Sequence, residues 1–274
     1  VPELPEVEVL RRSLEPHLVG ERIDSVLVRN AALRVRVNGS ELRRRTVGRR
    51  VLGLRRRSKY LLADVEGGST LLVHLGMSGR LCLAERSTPA EAHEHVVFGL
   101  ASGRDLRFRD PRRFGLVKAQ ATDRLESSSL LQHLGVEPLS EEFDGARLRA
   151  LADGRRGPVK TFLMDGRLVV GVGNIYATES LHRAGIHPAR SVARIGEERW
   201  SRLANAVRAV LERAIADGGT TLNDFANGLG EQGYFQTRLL AYDRAGEPCE
   251  TCGTFIRRLV QGGRSTYYCP SCQR

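Results

Sequence analysis

Four cysteines near the C-terminus constrain this chain more than any other feature. Cys249-Glu-Thr-Cys252 and Cys269-Pro-Ser-Cys272 form a C-x2-C, x16, C-x2-C array. Two close thiolate pairs separated by a hairpin-length segment suit one tetrahedral zinc ion. Four sulfurs leave no open position, so the metal is structural. The intervening residues Phe255, Ile256, Leu259 and Val260 read as strands, with Gly262-Gly263-Arg264 at the hairpin tip. Arg257, Arg258 and Arg264 make that hairpin a phosphate clamp. The fifth cysteine, Cys82, lies between Leu81 and Leu83 and reads as a small buried hydrophobe. Five cysteines in a chain that reads as cytosolic argue against a disulfide framework.

The opposite end carries the other unusual stretch, Val1-Pro2-Glu3-Leu4-Pro5-Glu6-Val7-Glu8. Taken alone, these residues read as a frayed terminus ahead of a helix. If Val1 is removed, Pro2 becomes a secondary amine that is partly neutral near physiological pH, with Glu3 attached to move protons. Pro5 opens a helix with an apolar face of Val7, Leu10, Leu14 and Leu18, and Gly20 follows its end. Residues 22–122 then read as short strands without intervening helices, including 61–65, 71–75, 96–100 and 106–108. Gly67-Gly68 supplies a hairpin turn. This pattern predicts an antiparallel sandwich or barrel.

The texture changes at Ser127-Ser128-Ser129. Leu130, Leu131 and Leu134, then Leu148 and Leu151, read as helical. Pro158 opens a helix through Lys160 to Met164, which Asp165-Gly166 breaks. Gly171-Val172-Gly173-Asn174 precedes another helix to about Arg183, and an amphipathic helix runs from about Glu197 to Ala216. The Gly-rich span 217–238 reads as a long functional loop. No internal repeat is present.

Charge narrows the partner. Lys and Arg outnumber Asp and Glu by 43 to 32, a net +11, which favours nucleic acid over an acidic membrane. No apolar run reaches the roughly 20 residues of a membrane span, and the charged N-terminal stretch contains no signal-peptide core. Only three lysines occur, Lys59, Lys118 and Lys160. Where nearly every cation is arginine, a lysine marks a place that needs an amine able to lose its proton. His93-Glu94-His95 suggests a metal site, but surface polar residues are the simpler reading.

The chain resembles the bacterial formamidopyrimidine-DNA glycosylase family. The resemblance rests on Pro2–Glu8, Lys59, His74-Leu75-Gly76-Met77, Asp110-Pro111-Arg112-Arg113-Phe114-Gly115, Gly171–Tyr176 and the zinc hairpin, all in order. It covers essentially the whole chain. It implies an α+β multidomain fold: an N-terminal antiparallel β-sandwich over 1–130, a helical helix–two-turn–helix domain over 131–239, and a four-cysteine zinc finger over 240–274. DNA would run in the cleft between the lobes, and the loop 217–238 would close over the everted base.

The implied activity is excision of oxidised purines such as 8-oxoguanine from duplex DNA, followed by strand cleavage at the abasic site. Pro2 would attack C1′, Glu3 would protonate the opening sugar, Lys59 would assist β-elimination and Arg264 δ-elimination. Met77, Arg112 and Phe114 would fill the space left by the extruded nucleotide, with Arg112 bonded to the widowed base. His74, His93, Arg155, Lys160 and Asn174 would contact the DNA, Asn174 from a helix N-terminus. One zinc on Cys249, Cys252, Cys269 and Cys272, a monomeric state and a bacterial cytoplasmic, nucleoid-associated location complete the expectation.

Three positions depart from the family's pattern. Val1 stands where an initiator methionine is expected, which a GTG start codon and subsequent removal would explain. Val136 replaces the usual Pro, and Asp243 the usual Gly. Two alternatives stay open at this level. A zinc-containing protein that binds damage without cutting would share the charge, the hairpin and the wedge residues. An oxidised-pyrimidine glycosylase would share the architecture.

Overall fold

A computed structural model describes residues 2–219, 228–229 and 239–274. The chain divides into two compact units, Val1–Gln132 with Asp217–Gln236, and His133–Ala216 with Thr237–Arg274.

The first unit opens with α1 (Leu4–Leu18), whose buried face is Leu4, Val7, Leu10, Leu14 and Leu18. There follow β1 (Ile23–Val28), α2 (Gly39–Thr46), β2 (Val51–Arg57), β3 (Tyr60–Val65), β4 (Ser69–His74), β5 (Arg80–Glu85), β6 (Glu94–Leu100), β7 (Arg104–Arg109) and β8 (Leu116–Ala121). The strands form two four-stranded sheets, ordered β1-β6-β7-β5 and β2-β3-β4-β8. All their ladders are antiparallel. One apolar core takes Leu61, Leu71 and Val73 from one sheet, Phe98 and Phe108 from the other, and the inner face of α1. The expected sandwich is thus present. The β3–β4 turn uses Gly67 at φ 76° and Gly68 at φ 68°, as its sequence required.

Helix α2 corrects the expectation of strands alone. Asn38 caps it by accepting the Glu41 backbone N–H at 3.0 Å, and Glu41 pairs with Arg44 and Arg45. Only Leu42 and Thr46 are buried, so the helix has no apolar repeat for sequence periodicity to detect. Its stability rests on the cap and local ion pairs rather than a broad buried face.

The second unit contains α3 (Gly145–Ala152), α4 (Val159–Leu163), α5 (Asn174–Ala184), α6 (Glu197–Ala216), β9 (Arg257–Gln261) and β10 (Arg264–Tyr268). Helix α6 has the expected span, with Trp200, Leu203, Val207, Val210, Leu211 and Ala214 all buried. Trp200 meets Phe162 of α4 at 5.5 Å between ring centroids. The leucines at 130–134 do not make a helix. Leu131 and Gln132 both donate to Ser128 O in a turn, and the next residues bond to the 166–170 backbone instead. Five residues between a serine run and Gly135 give too short a stretch to propagate a helix.

Candidate nucleic-acid interface

Pro2 and Glu3 are packed, not frayed. Both are buried, Glu3 to 3 % exposure. Glu3 caps α1 by accepting the Glu6 backbone N–H, and its own N–H donates to Glu6 Oε2 at 2.7 Å. This reciprocal box fixes the chain's entry into the helix. One turn later Glu8 pairs with Arg56 at 3.4 Å, and Arg56 donates to Ser58 O at 3.0 Å. That relay ties α1 to Ser58-Lys59, the two-residue loop between paired Arg57 and Tyr60.

His74 lies opposite Tyr60 in the next ladder, their rings 4.9 Å apart. Its Nδ1 accepts the Gly76 N–H at 2.9 Å, so the neutral ring carries its proton on Nε2. Burial, followed by the charges of Lys59 and Arg34, pushes this imidazole down to about 4.

Gly76 begins the turn that presents Met77. Its φ is 66°, and a Cβ there would lie 2.5 Å from the Phe114 carbonyl carbon. No side chain fits between the two turns. Met77 and Phe114 are themselves exposed to 39 % and 46 %, against the usual burial of such residues. The Arg112 guanidinium lies 5.1 Å from the Phe114 ring centre. The structure thus brings Met77 beside Arg112 and Phe114 on adjoining loops, although Met77 stands far from that pair in sequence.

Ser58, His93 and Arg113 adopt left-handed φ values of 55°, 68° and 58°. Each adjoins or belongs to the candidate set, and side chains other than glycine occupy this region at a cost. His93 is exposed, but Glu94 and His95 are not. Glu94 meets Arg107 at 3.3 Å, and His95 Nε2 lies 2.7 Å from Asp110 O. The triplet therefore has one outward residue and two interior ones, rather than three at the surface. Cys82 also differs from expectation: it is only partly buried, because its strand turns Leu81 to the core and Cys82 to the other face.

In the second unit, Lys160 is 1 % exposed. Its Nζ donates to Asn174 Oδ1 and Thr266 Oγ1, both at 2.6 Å, and Asn174 Nδ2 donates to Ser265 O at 3.0 Å. Lys160 and Asn174 thereby clasp β10 beside Arg264, which is exposed at the first position of that strand. Sequence reading missed Ser265 and Thr266, whose part in this clasp arises only from the fold. Arg155 is exposed in the α3–α4 turn, with its Nε bonded to Leu151 O at 3.0 Å. Most of the loop 217–238 lies outside the described residues. At its described Gly228, N–H donates to Ser13 Oγ at 2.9 Å and the carbonyl accepts from Leu83 at 3.0 Å.

The four thiols converge as their spacing predicted. Cys249, Cys252, Cys269 and Cys272 place their sulfurs within 4.8 Å of one another. Two pairs stand 4.0 and 3.4 Å apart, bracketing the roughly 3.8 Å expected for tetrahedral zinc thiolates. The donor set fits zinc, and the chain holds one structural ion there. Among the described residues it is the only cluster of metal-ligating side chains. Gln273 docks this knuckle, accepting from Cys269 N at 2.8 Å and donating to Ile186 O at 2.9 Å.

Comparison with known proteins agrees along the whole length. The formamidopyrimidine-DNA glycosylase N-terminal domain matches residues 1–117. The H2TH domain of the same family matches 134–226, and the zinc finger found in FPG and IleRS matches 246–274. The formamidopyrimidine-DNA glycosylases of Xanthomonas oryzae pv. oryzae and Acidithiobacillus ferrooxidans are 50 % and 51 % identical over 274 residues, covering all of both chains. Lactococcus lactis Fpg in complex with abasic-site DNA superposes with a TM-score of 0.92 at 33 % identity, over 99 % of each chain. A point mutant of that Lactococcus lactis protein, in complex with DNA containing Fapy-dG, gives 0.92 and 33 % over the full length of both. The chain belongs to the formamidopyrimidine-DNA glycosylase family.

Proposed function

We propose that this chain is a base-excision repair DNA glycosylase with abasic-site lyase activity, acting on oxidised purines in duplex DNA. The observation that carries the reading is the buried, reciprocally capped Pro2-Glu3 start of α1, tied through Glu8 and Arg56 to the Lys59 turn. A terminal secondary amine held this firmly is pre-oriented as a nucleophile. Once Val1 is removed, the Pro2 nitrogen attacks C1′ and the base leaves with the glycosidic electron pair. Glu3 protonates the ring oxygen as the sugar opens to an iminium ion. Loss of a C2′ proton then expels the 3′-phosphate, assisted by Lys59, and a second elimination assisted by Arg264 expels the 5′-phosphate. A one-nucleotide gap remains.

The other residues prepare the substrate. Met77, Arg112 and Phe114 occupy the vacated stack, while His74, His93, Arg155 and Asn174 hold the backbone. Lys160, expected from sequence to touch DNA, is enclosed and instead sets Asn174 and β10 in place. A catalytic lobe over 1–130, a helix–two-turn–helix domain over 131–239 and a zinc finger over 240–274 share the work. The protein acts as a monomer in the bacterial cytoplasm, on the nucleoid.

Borohydride trapping tests this mechanism. Processed protein mixed with duplex DNA carrying 8-oxoguanine or an abasic site cross-links when reductant is present. Pro2→Gly traps far less at similar affinity. Glu3→Gln loses base excision but still nicks a preformed abasic site. A protein blocked by an uncleavable residue before Pro2 binds and traps nothing. Equal trapping by the blocked protein would move the nucleophile elsewhere, with Lys59 the first suspect. A binder that does not cut would give no adduct at all.

A further inference from the structure

Asp110 is fully buried, and among the described residues it pairs with no cation. Its bonds go instead to its own loop and to two others. Oδ1 accepts from Ser78 Oγ at 2.7 Å, on the turn that carries Met77. Oδ2 accepts from the Gly115 N–H at 2.7 Å, on the loop that carries Phe114. Its backbone N–H donates to His93 O at 3.0 Å, and its carbonyl accepts from Arg113 N at 3.2 Å. Ser78 Oγ in turn accepts from Arg112 N at 3.2 Å. Gly115 is held so closely that a Cβ would lie 3.0 Å from Asp110 Oδ2 and 2.9 Å from His74 O.

A carboxylate that only capped its own turn would stop at Arg112 and Gly115. This one crosses to Ser78, 32 residues away in sequence. The two exposed apolar side chains therefore stand on turns fastened to one rigid group, at either end of a single carboxyl. We propose that Asp110, acting with Ser78, is a positioning residue that locks the Met77 and Phe114 turns into one wedge and seats His93 beside it. The inference rests on the glycosylase reading above. Extruding a paired purine needs both side chains to enter the stack together, because a gap filled from one side lets the nucleotide return. An abasic nucleotide has no base to unstack, so its cleavage depends less on that alignment.

The tie is geometric, which selects the variants. Ser78→Ala cuts the bridge to the Met77 turn and one acceptor of the Arg112 N–H, which keeps Asp110 Oδ1 at 3.3 Å. Asp110→Ala cuts every side-chain bond and leaves the buried Gly115 N–H without its acceptor. Asp110→Asn keeps the shape: its oxygen still accepts from Gly115 and its amide donates to the Ser78 hydroxyl, while the Arg112 N–H loses Oδ1 at 3.3 Å but keeps Ser78 Oγ at 3.2 Å.

The test is single-turnover excision of 8-oxoguanine beside cleavage of a preformed abasic site, with thermal melting of each protein. Ser78→Ala should slow excision about tenfold, as expected for a small displacement of a positioning group, with abasic cleavage and melting nearly unchanged. Asp110→Ala should lose more excision than Ser78→Ala, and Asp110→Asn should restore it. The proposal is overturned if Ser78→Ala excises as well as wild type. It is equally overturned if both reactions fall in proportion, or if Asp110→Asn is as defective as Asp110→Ala. A wild-type chain that removes no 8-oxoguanine would instead sink the glycosylase reading itself, a result none of the variants can mimic.

Discussion

Between Tyr60 and Gly76 the His74 ring is held neutral, and this has a measurable consequence for stability. Unfolded, the imidazole titrates near 6.5; folded, burial and the neighbouring Lys59 and Arg34 push it to about 4. Between those values the unfolded chain takes up a proton that the folded chain refuses. The stabilisation is fully present above pH 6.5 and is lost as the pH falls towards 4, by up to about 3 kcal/mol. Denaturant midpoints from pH 8 to 4 should therefore fall more steeply in wild type than in His74→Gln. Identical slopes would mean the ring is not kept neutral. The sequence marked His74 through its neighbours Leu75-Gly76-Met77, but not its protonation state. That state depends on Tyr60 and Lys59, which a ladder register brings close. Lys160 shows the same limit: its rarity flagged it, while its burial against Asn174 and Thr266 needed the fold.

Elements with a long apolar repeat are legible in the sequence; those held by a few local bonds are not. Helix α6 shows Trp200 to Ala214 at helical spacing and has its expected ends, whereas α2 rests on Asn38 and Glu41 and was missed. Close contacts between elements are the least legible, since no side chain announces them. At Gly145, the first residue of α3, an added Cβ would lie 2.5 Å from the backbone N and Cα of Ser201 on α6. Gly145 does not need a left-handed backbone, so the obstacle is purely steric. Gly145→Ala should force the two helices apart and cost about 2 kcal/mol, the usual penalty for overpacking a tight contact. Calorimetry or urea unfolding would register the loss. An alanine variant as stable as wild type would show that α3 and α6 slide without penalty.

At the scale of the whole molecule, the zinc knuckle is a separate source of stability from the sandwich core. The thiolate cluster organises β9 and β10, while the core of α1 and the two sheets shares no residue with it. Cys252→Ser should therefore lose the metal and DNA affinity and still leave an intact β-rich unit. Metal analysis, DNA titration and circular dichroism would check the three parts. Full DNA binding by metal-free protein would detach the hairpin from the interface. The burial of Lys160 also bears on how such a chain fares among acylating metabolites. Its three lysines leave only Lys59 and Lys118 reachable, since Lys160 is enclosed. Among the lysines, acetylation of Lys59 and not of Lys118 should track the loss of strand cleavage on a preformed abasic site, in molecules that mass mapping shows to keep a free Pro2 amine. A protein that writes nearly all its positive charge as arginine offers an acylating reagent few side-chain targets, because the guanidinium stays protonated.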